Sequence, residues 1–388
     1  MEPARCADNA SGALRECAPE RKGRGDDPVS DRTTLHRYAH RAGYDRPTID
    51  AIHDQGIVSH AGLQTDDGFP VERGLRIGAS GYGALLMCGV VGLLLRDCSL
   101  EPRLGSMLFS MIEALDERGP DSCGIAVYSD NDGTGVLGQR LNISLGSDDA
   151  VDWDDVEGRL SSQFGSLVDV RAFGAGTVVV VPEHLKDQVH ALVASAWPNV
   201  RVLATGRKVM VLKDTGRPTD TCTRYGVAAW EGYLAVAHTR MATESAVTVL
   251  HSHPFVPSRD LCVVHNGSFS NYAAVRRRLV ADGIQFDSDN DSEVAARYLA
   301  QRLSAGDDLE EATRWVMKEM DGFFTLVIST ADEMSVVRDA IACKPGVVAV
   351  TDGYVAVASE FRALAELPGI ATAEVFEPQP EEVYTWSR

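Results

Sequence analysis

The sequence predicts an α+β fold built on mainly antiparallel sheets, and three observations carry that expectation. Short strand-like apolar runs recur from residue 89 to the C-terminus, few helical segments separate them, and Gly/Pro/Asn/Asp clusters punctuate the gaps. A doubly wound parallel sheet would need a helix after nearly every strand.

Taken in order, residues 1 to about 80 are dense in Arg, Asp, Gly, Pro and His, as in Glu20 to Asp27, with no sustained apolar period. Such a stretch cannot bury enough apolar surface to offset its ordering entropy, so a largely disordered leader is expected over residues 1–87. Gly89 to Leu95 reads as a buried strand and Leu104 to Glu117 as a helix, broken by Arg118-Gly-Pro-Asp121. Gly124 to Tyr128 is the next strand. Thr177–Val181, Glu183–Trp197 and Val200–Leu203 read as a strand-helix-strand insertion, placed at about 150–225. Strands follow at Tyr233–His238, Leu261–His265, Gly322–Ser329, Met334–Arg338, Val347–Val350 and Tyr354–Ala358, with helices at Asn271–Val280 and Asp291–Leu303.

Composition narrows the function classes. With 388 residues, 44% hydrophobic and 24% charged, the chain can bury a sizeable core. Its formal charge of -19 would repel both nucleic acid and an anionic membrane surface, so neither is an expected partner. The longest apolar run, Ala84 to Leu95, is too short to span a bilayer. Eight scattered cysteines without a C-x-x-C pair indicate neither a zinc cage nor an iron–sulfur run and fit reduced thiols in a cytoplasmic protein. No metal or cofactor is expected.

Four segments bear chemistry. Met87-Cys88-Gly-Val-Val-Gly92 would present Cys88 as an N-terminal nucleophile if the chain began there, with its own α-amine as proton acceptor; otherwise Cys88 reads as a small buried strand residue. Arg118-Gly-Pro-Asp-Ser-Cys-Gly124 is a Gly/Pro turn carrying Arg118 and Asp121, equally readable as an ordinary capped turn. His238-Thr-Arg-Met-Ala-Thr-Glu244 puts Arg240 at a strand end, where its planar fork suits a carboxylate or a surface ion pair. Cys262-Val-Val-His-Asn-Gly267 runs a strand into Asn266 and Gly267, whose amide and N–H groups can converge on one oxyanion or simply form a turn.

Together with Asn290-Asp-Ser-Glu293 and the run from Val337 to Leu364, these segments in this order resemble the class II glutamine amidotransferases over most of residues 88–388. The resemblance implies a four-layer αββα N-terminal-nucleophile hydrolase fold. It implies that Cys88 attacks the glutamine side-chain amide to form a thioester, that Asn266 and Gly267 hold the oxyanion, and that Arg240 and Asp291 grip the α-carboxylate and α-ammonium. Arg118 matches an arginine that orders the nucleophile's loop, and Thr243 matches a residue lining the glutamine pocket.

Two departures qualify it. Arg118 and Arg240 lie farther apart than in hexosamine-type members, and Met241 and Glu244 stand where many members have tryptophan and histidine. In these respects the chain is more similar to separately encoded amidotransferase subunits of glutamate-synthase type, such as that of N-methylglutamate synthase. The resemblance thereby implies an ammonia-accepting synthase partner that carries any flavin and iron–sulfur centres. The second departure is the 87 residues before Cys88. They are either a cleaved leader, or untranslated sequence ahead of a start at Met87, or a persistent block that would leave a non-catalytic glutamine-sensing module.

Overall fold

In a computed structural model of the protein, the described residues are 88–130, 140–174, 176–242 and 246–388. The leader expected over residues 1–87 and the pocket residue Thr243 lie outside them.

The chain runs through β1 (Gly89–Leu95), α1 (Leu104–Glu113) and β2 (Ser122–Tyr128). An inserted unit follows, with β3 (Arg140–Gly146), α2 (Trp153–Phe164), β4 (Asp169–Phe173), β5 (Gly176–Pro182), α3 (Lys186–Ala196) and β6 (Arg201–Gly206). Next come β7 (Val209–Thr215), α4 (Pro218–Arg224), β8 (Leu234–Arg240), β9 (Phe255–Ser258) and β10 (Leu261–Phe269). Three helices, α5 (Tyr272–Ala281), α6 (Asp291–Ser304) and α7 (Leu309–Glu319), lead into β11 (Gly322–Ser329) and β12 (Glu333–Arg338). The chain finishes with β13 (Val347–Val350), β14 (Tyr354–Ala358), β15 (Glu374–Phe376) and β16 (Val383–Ser387).

Among the described residues the first sheet has the order β15-β13-β14-β1-β8-β2-β7 and the second β16-β12-β11-β10-β9, with antiparallel pairing throughout. Alternation along β1 explains how they stack. Val91, Leu93 and Leu95 pack with Leu104, Leu108 and Met111 of α1, whereas Val90 and Leu94 pack with Cys262, Val264, Val327 and Val336 of the second sheet. Being buried on both faces, β1 has no polar face, which is why it reads as an unbroken apolar run. The far side of the second sheet, with Val263, Leu326 and Ile328, is covered by Leu279, Val294, Leu299 and Val316 of α5 to α7. The layers therefore run helix, sheet, sheet, helix, the αββα order implied by the resemblance.

The inserted unit holds more elements than the sequence suggests. The strand-helix-strand read from Thr177 to Leu203 is present as β5, α3 and β6, but β3, α2 and β4 complete a four-stranded sheet in the order β4-β5-β3-β6. Its span, from Arg140 to Gly206, also corrects the 150–225 expectation, because β7 pairs with β2 in the first sheet. One face of this small sheet packs Ile143, Leu145 and Val179 against Val156 and Leu160 of α2 and Val189 and Val193 of α3. The other face turns Val178 and Val180 toward Leu212, Cys222 and Tyr225 beside the first sheet. Helix α2 escaped the apolar-period reading because it buries only Val156 and Leu160; its signal was the cap, where the Asp152 carboxylate accepts from the N–H groups of Asp154 and Asp155.

Candidate active site

The ends of β1, β8 and β10 meet at one end of the two stacked sheets. Cys88 stands immediately before β1, and the pairing of Gly89 with Thr239 brings it alongside the end of β8. There the Met241 N–H points to the Cys88 Sγ at 3.4 Å, and the thiol in turn lies 3.6 Å from the Met241 carbonyl. Two side chains from distant elements fix the Cys88 main chain. Its carbonyl accepts from Asn266 Nδ2 at 3.0 Å and from Arg118 Nε and Nη2 at 3.3 Å each. Arg118 is itself ion-paired with Glu360. Burial pushes the Cys88 thiol up from its ordinary value, against the opposing pull of the Met241 N–H and of the Arg240, Lys344 and Arg118 cations. At rest the nucleophile candidate is therefore a protonated thiol.

Arg240 closes β8 and is buried, with Nη1 donating to the Ala246 carbonyl at 2.8 Å. The turn of the second segment braces it. The Asp121 N–H donates to the Arg240 carbonyl at 3.0 Å, and the Asp121 carboxylate accepts from the Ala242 N–H at 2.7 Å. Gly119 is needed in that turn, since a Cβ there would lie 2.4 Å from the Thr239 carbonyl.

Asn266 is buried in β10, and one of its two amide hydrogens is committed to Cys88 while the other is available to a second acceptor. Gly267 follows at φ 150°, and a Cβ would meet the Phe323 carbonyl oxygen at 2.0 Å. Gly267→Ala is accordingly expected to destabilise the fold by about 3 kcal/mol, combining backbone strain with overpacking, as a lowered urea midpoint would show. Asp291 is the first residue of α6. Its carboxylate accepts from the Phe269 N–H at 2.9 Å and from Ser292 Oγ at 3.2 Å, which ties the helix start to the end of β10. The Asn290 cap, accepting from the Ser292 N–H, sets where that helix begins.

Sequence reasoning gave no role to Glu360 or Lys344, nor to three buried histidines behind the site. His238 and His253 lie with ring centroids 4.1 Å apart, and His253 and His265 with centroids 6.2 Å apart. His238 Nε2 bonds the His265 carbonyl at 2.9 Å, and His265 Nδ1 bonds Ser292 Oγ at 2.6 Å, so the cluster ties β8 to β10 and α6. Burial lowers all three, His238 to about 3, so they fold uncharged. Below about pH 6.5 the unfolded chain takes up protons that the folded cluster refuses, and stability is lost as pH falls by up to about 1.4 kcal/mol per unit per histidine. Urea midpoints between pH 7 and 5 are expected to fall on this account, and less steeply in His253→Leu.

Among the described residues no group of three or more His, Cys, Asp and Glu is arranged to hold a metal ion, and no helix is long and apolar enough to cross a membrane.

Residues 238–366, from the end of β8 past β14, match the glutamine amidotransferase domain model. The glutamine amidotransferase-like protein GlxB of Rhizobium meliloti is 43% identical over 300 residues, which are 77% of this chain and 98% of that protein. A glutamine–fructose-6-phosphate aminotransferase of Mycolicibacterium paratuberculosis is 37% identical over 140 residues, 35% of this chain and 22% of its own. Among solved structures, the allosteric regulatory enzyme of purine biosynthesis superposes with a TM-score of 0.51 at 17% identity, covering 77% of this chain and 47% of that one. At that identity the likeness concerns the fold, and the chain spans about half the length of such solved structures.

Proposed function

Given that the chain belongs to the class II glutamine amidotransferases, which open the glutamine side-chain amide, we propose that Cys88 is the nucleophile and that the ammonia released feeds a separate synthase. The observation that carries this reading is convergence. Cys88 just before β1, Arg240 at the end of β8, and Asn266 and Gly267 of β10 meet at one end of the two stacked sheets, with Asn266 and Arg118 both on the Cys88 carbonyl.

Because the thiol is held protonated, attack needs a base. In a chain beginning at Cys88 the free α-amine takes the thiol proton, the sulfur adds to the amide carbon, and the proton passes to the departing ammonia. The second Asn266 amide hydrogen and the Gly267 N–H stabilise the oxyanion, a term of roughly 3 to 4 kcal/mol per donor. Water then hydrolyses the glutamyl thioester to glutamate. Arg240 and Asp291 supply opposite charges for the two ends of the glutamine zwitterion, and Thr243 lines the pocket.

Arg118 acts through the Cys88 carbonyl, held in turn by Glu360. The partner we propose is a glutamate-synthase-type enzyme, as in N-methylglutamate synthase, with flavin and iron–sulfur centres on its own subunits. The departures at Met241 and Glu244 from hexosamine-type members support that choice.

Intact mass and N-terminal sequencing of protein from its native host, followed by labelling with a glutamine-analogue electrophile, test the mechanism. A chain starting at Cys88 and labelled there is expected. A chain retaining residues before Cys88 and unlabelled would overturn catalysis and leave a glutamine-sensing module.

A further inference from the structure

Lys213 on β7 is buried, with 5% exposure; its carbonyl accepts from the Tyr225 hydroxyl at 3.0 Å, but its ammonium has no hydrogen-bond partner among the described residues. Its ammonium lies 5.3 Å from the Phe255 ring and lines a pocket of about 30 Å³ between the inserted unit, β9 and α6. The other charges there are already paired. Arg297 bonds Asp287 at 2.6 Å and Glu293 at 3.0 Å, and Glu293 also accepts from the N–H groups of Asp287 and Ser288. Lys213 is therefore the charged group of this pocket whose ammonium meets only the face of the Phe255 ring, and an ammonium drawn away from bulk water is costly without a hydrogen-bond acceptor. Burial draws it down to about 8, against the opposing pull of Cys262, Glu293 and Asp287, so it is still mostly charged at neutral pH.

We propose that this pocket binds a short aliphatic monocarboxylate, with its carboxylate on the Lys213 ammonium and its alkyl stem against Leu203, Leu250 and Pro257. Size and charge select that class. The volume is about twice the smallest that holds one water, enough for the head of a small acid with its stem toward the apolar rim. The Asp287 and Glu293 carboxylates facing the same space repel a second negative charge, so a phosphate dianion is disfavoured. The site is separate from Cys88, and the proposal does not depend on the identity of the nucleophile.

Thermal melts of the full chain at pH 7 and constant ionic strength, with sodium acetate, propionate, butyrate or phosphate, test it. Butyrate is expected to raise Tm by roughly 2 °C or more at saturating concentration, above the effect of phosphate. Lys213→Met should lose the increment, and so should Leu203→Trp, which fills the rim and keeps the test decisive if the lysine variant fails to fold. Cys88→Ala should retain it. An equal increment in Lys213→Met or Leu203→Trp, an equal effect of phosphate, or no increment in the wild type would overturn the proposal.

Discussion

Replacing Cys88 by alanine, compared in chains prepared to begin at that residue, is expected to lower glutamine hydrolysis by at least about three orders of magnitude, the scale seen when an activated nucleophile is removed. Of the other described cysteines, Cys123, Cys222 and Cys262 are buried in the layers, Cys343 is half-buried in the loop before β13, and Cys98 is exposed beyond the far end of β1. Cys98→Ala is the control, expected to be nearly silent. A glutamate-release assay on both variants decides the matter, because equal loss in the two would mean that the nucleophile is misassigned. The fold should survive either change, since the Cys88 main chain, not its thiol, receives the Asn266 and Arg118 hydrogen bonds.

The second large effect belongs to Asn266. Its amide anchors the Cys88 carbonyl and, in the mechanism we propose, is also offered to the oxyanion, so Asn266→Ala is expected to cost roughly 100- to 1000-fold in kcat. Steady-state kinetics across glutamine concentrations separate the two contributions. A loss in kcat with KM nearly unchanged is the signature of an interaction made chiefly in the transition state. Asn266→Asp, which keeps the shape but presents a carboxylate to a developing negative charge, should be no better than alanine. A KM effect alone would reduce Asn266 to a positioning residue for β1.

What the sequence made legible, and what it did not, divides along a physical line. Strand β1 and the first part of β10, Leu261 to His265, were readable because they are buried on both faces and so lack polar alternation, and α6 was readable from its apolar spacing. Helix α7 was passed over although Leu309, Ala312, Thr313 and Val316 are buried at helical spacing and Asp308 caps it; polar residues between them diluted the pattern. The separate motifs pointed to one site only as an ordered set, because strand pairing, not local spacing, brings Cys88 to Met241. The partnership of Arg118 with Glu360 and the clustering of His238, His253 and His265 join residues far apart in the chain, and no local pattern encodes such encounters. Lys213 is hidden for the same reason, since a lone lysine in a β-strand normally marks a solvated face.

The inserted unit also bears on how this molecule assembles. Tyr128 and Val209 are direct partners at the end of the β2–β7 ladder, so the whole unit is in effect the loop of an antiparallel hairpin. Closing a loop grows dearer only logarithmically with length, by about 0.6 kcal/mol per doubling, and a loop that folds on its own core brings its two ends together beforehand. The collapse of β3 to β6 with α2 and α3 thus turns a distant pairing into a near one. In kinetic terms the added residues raise the chain length more than they raise the effective contact order of the edge strand they separate.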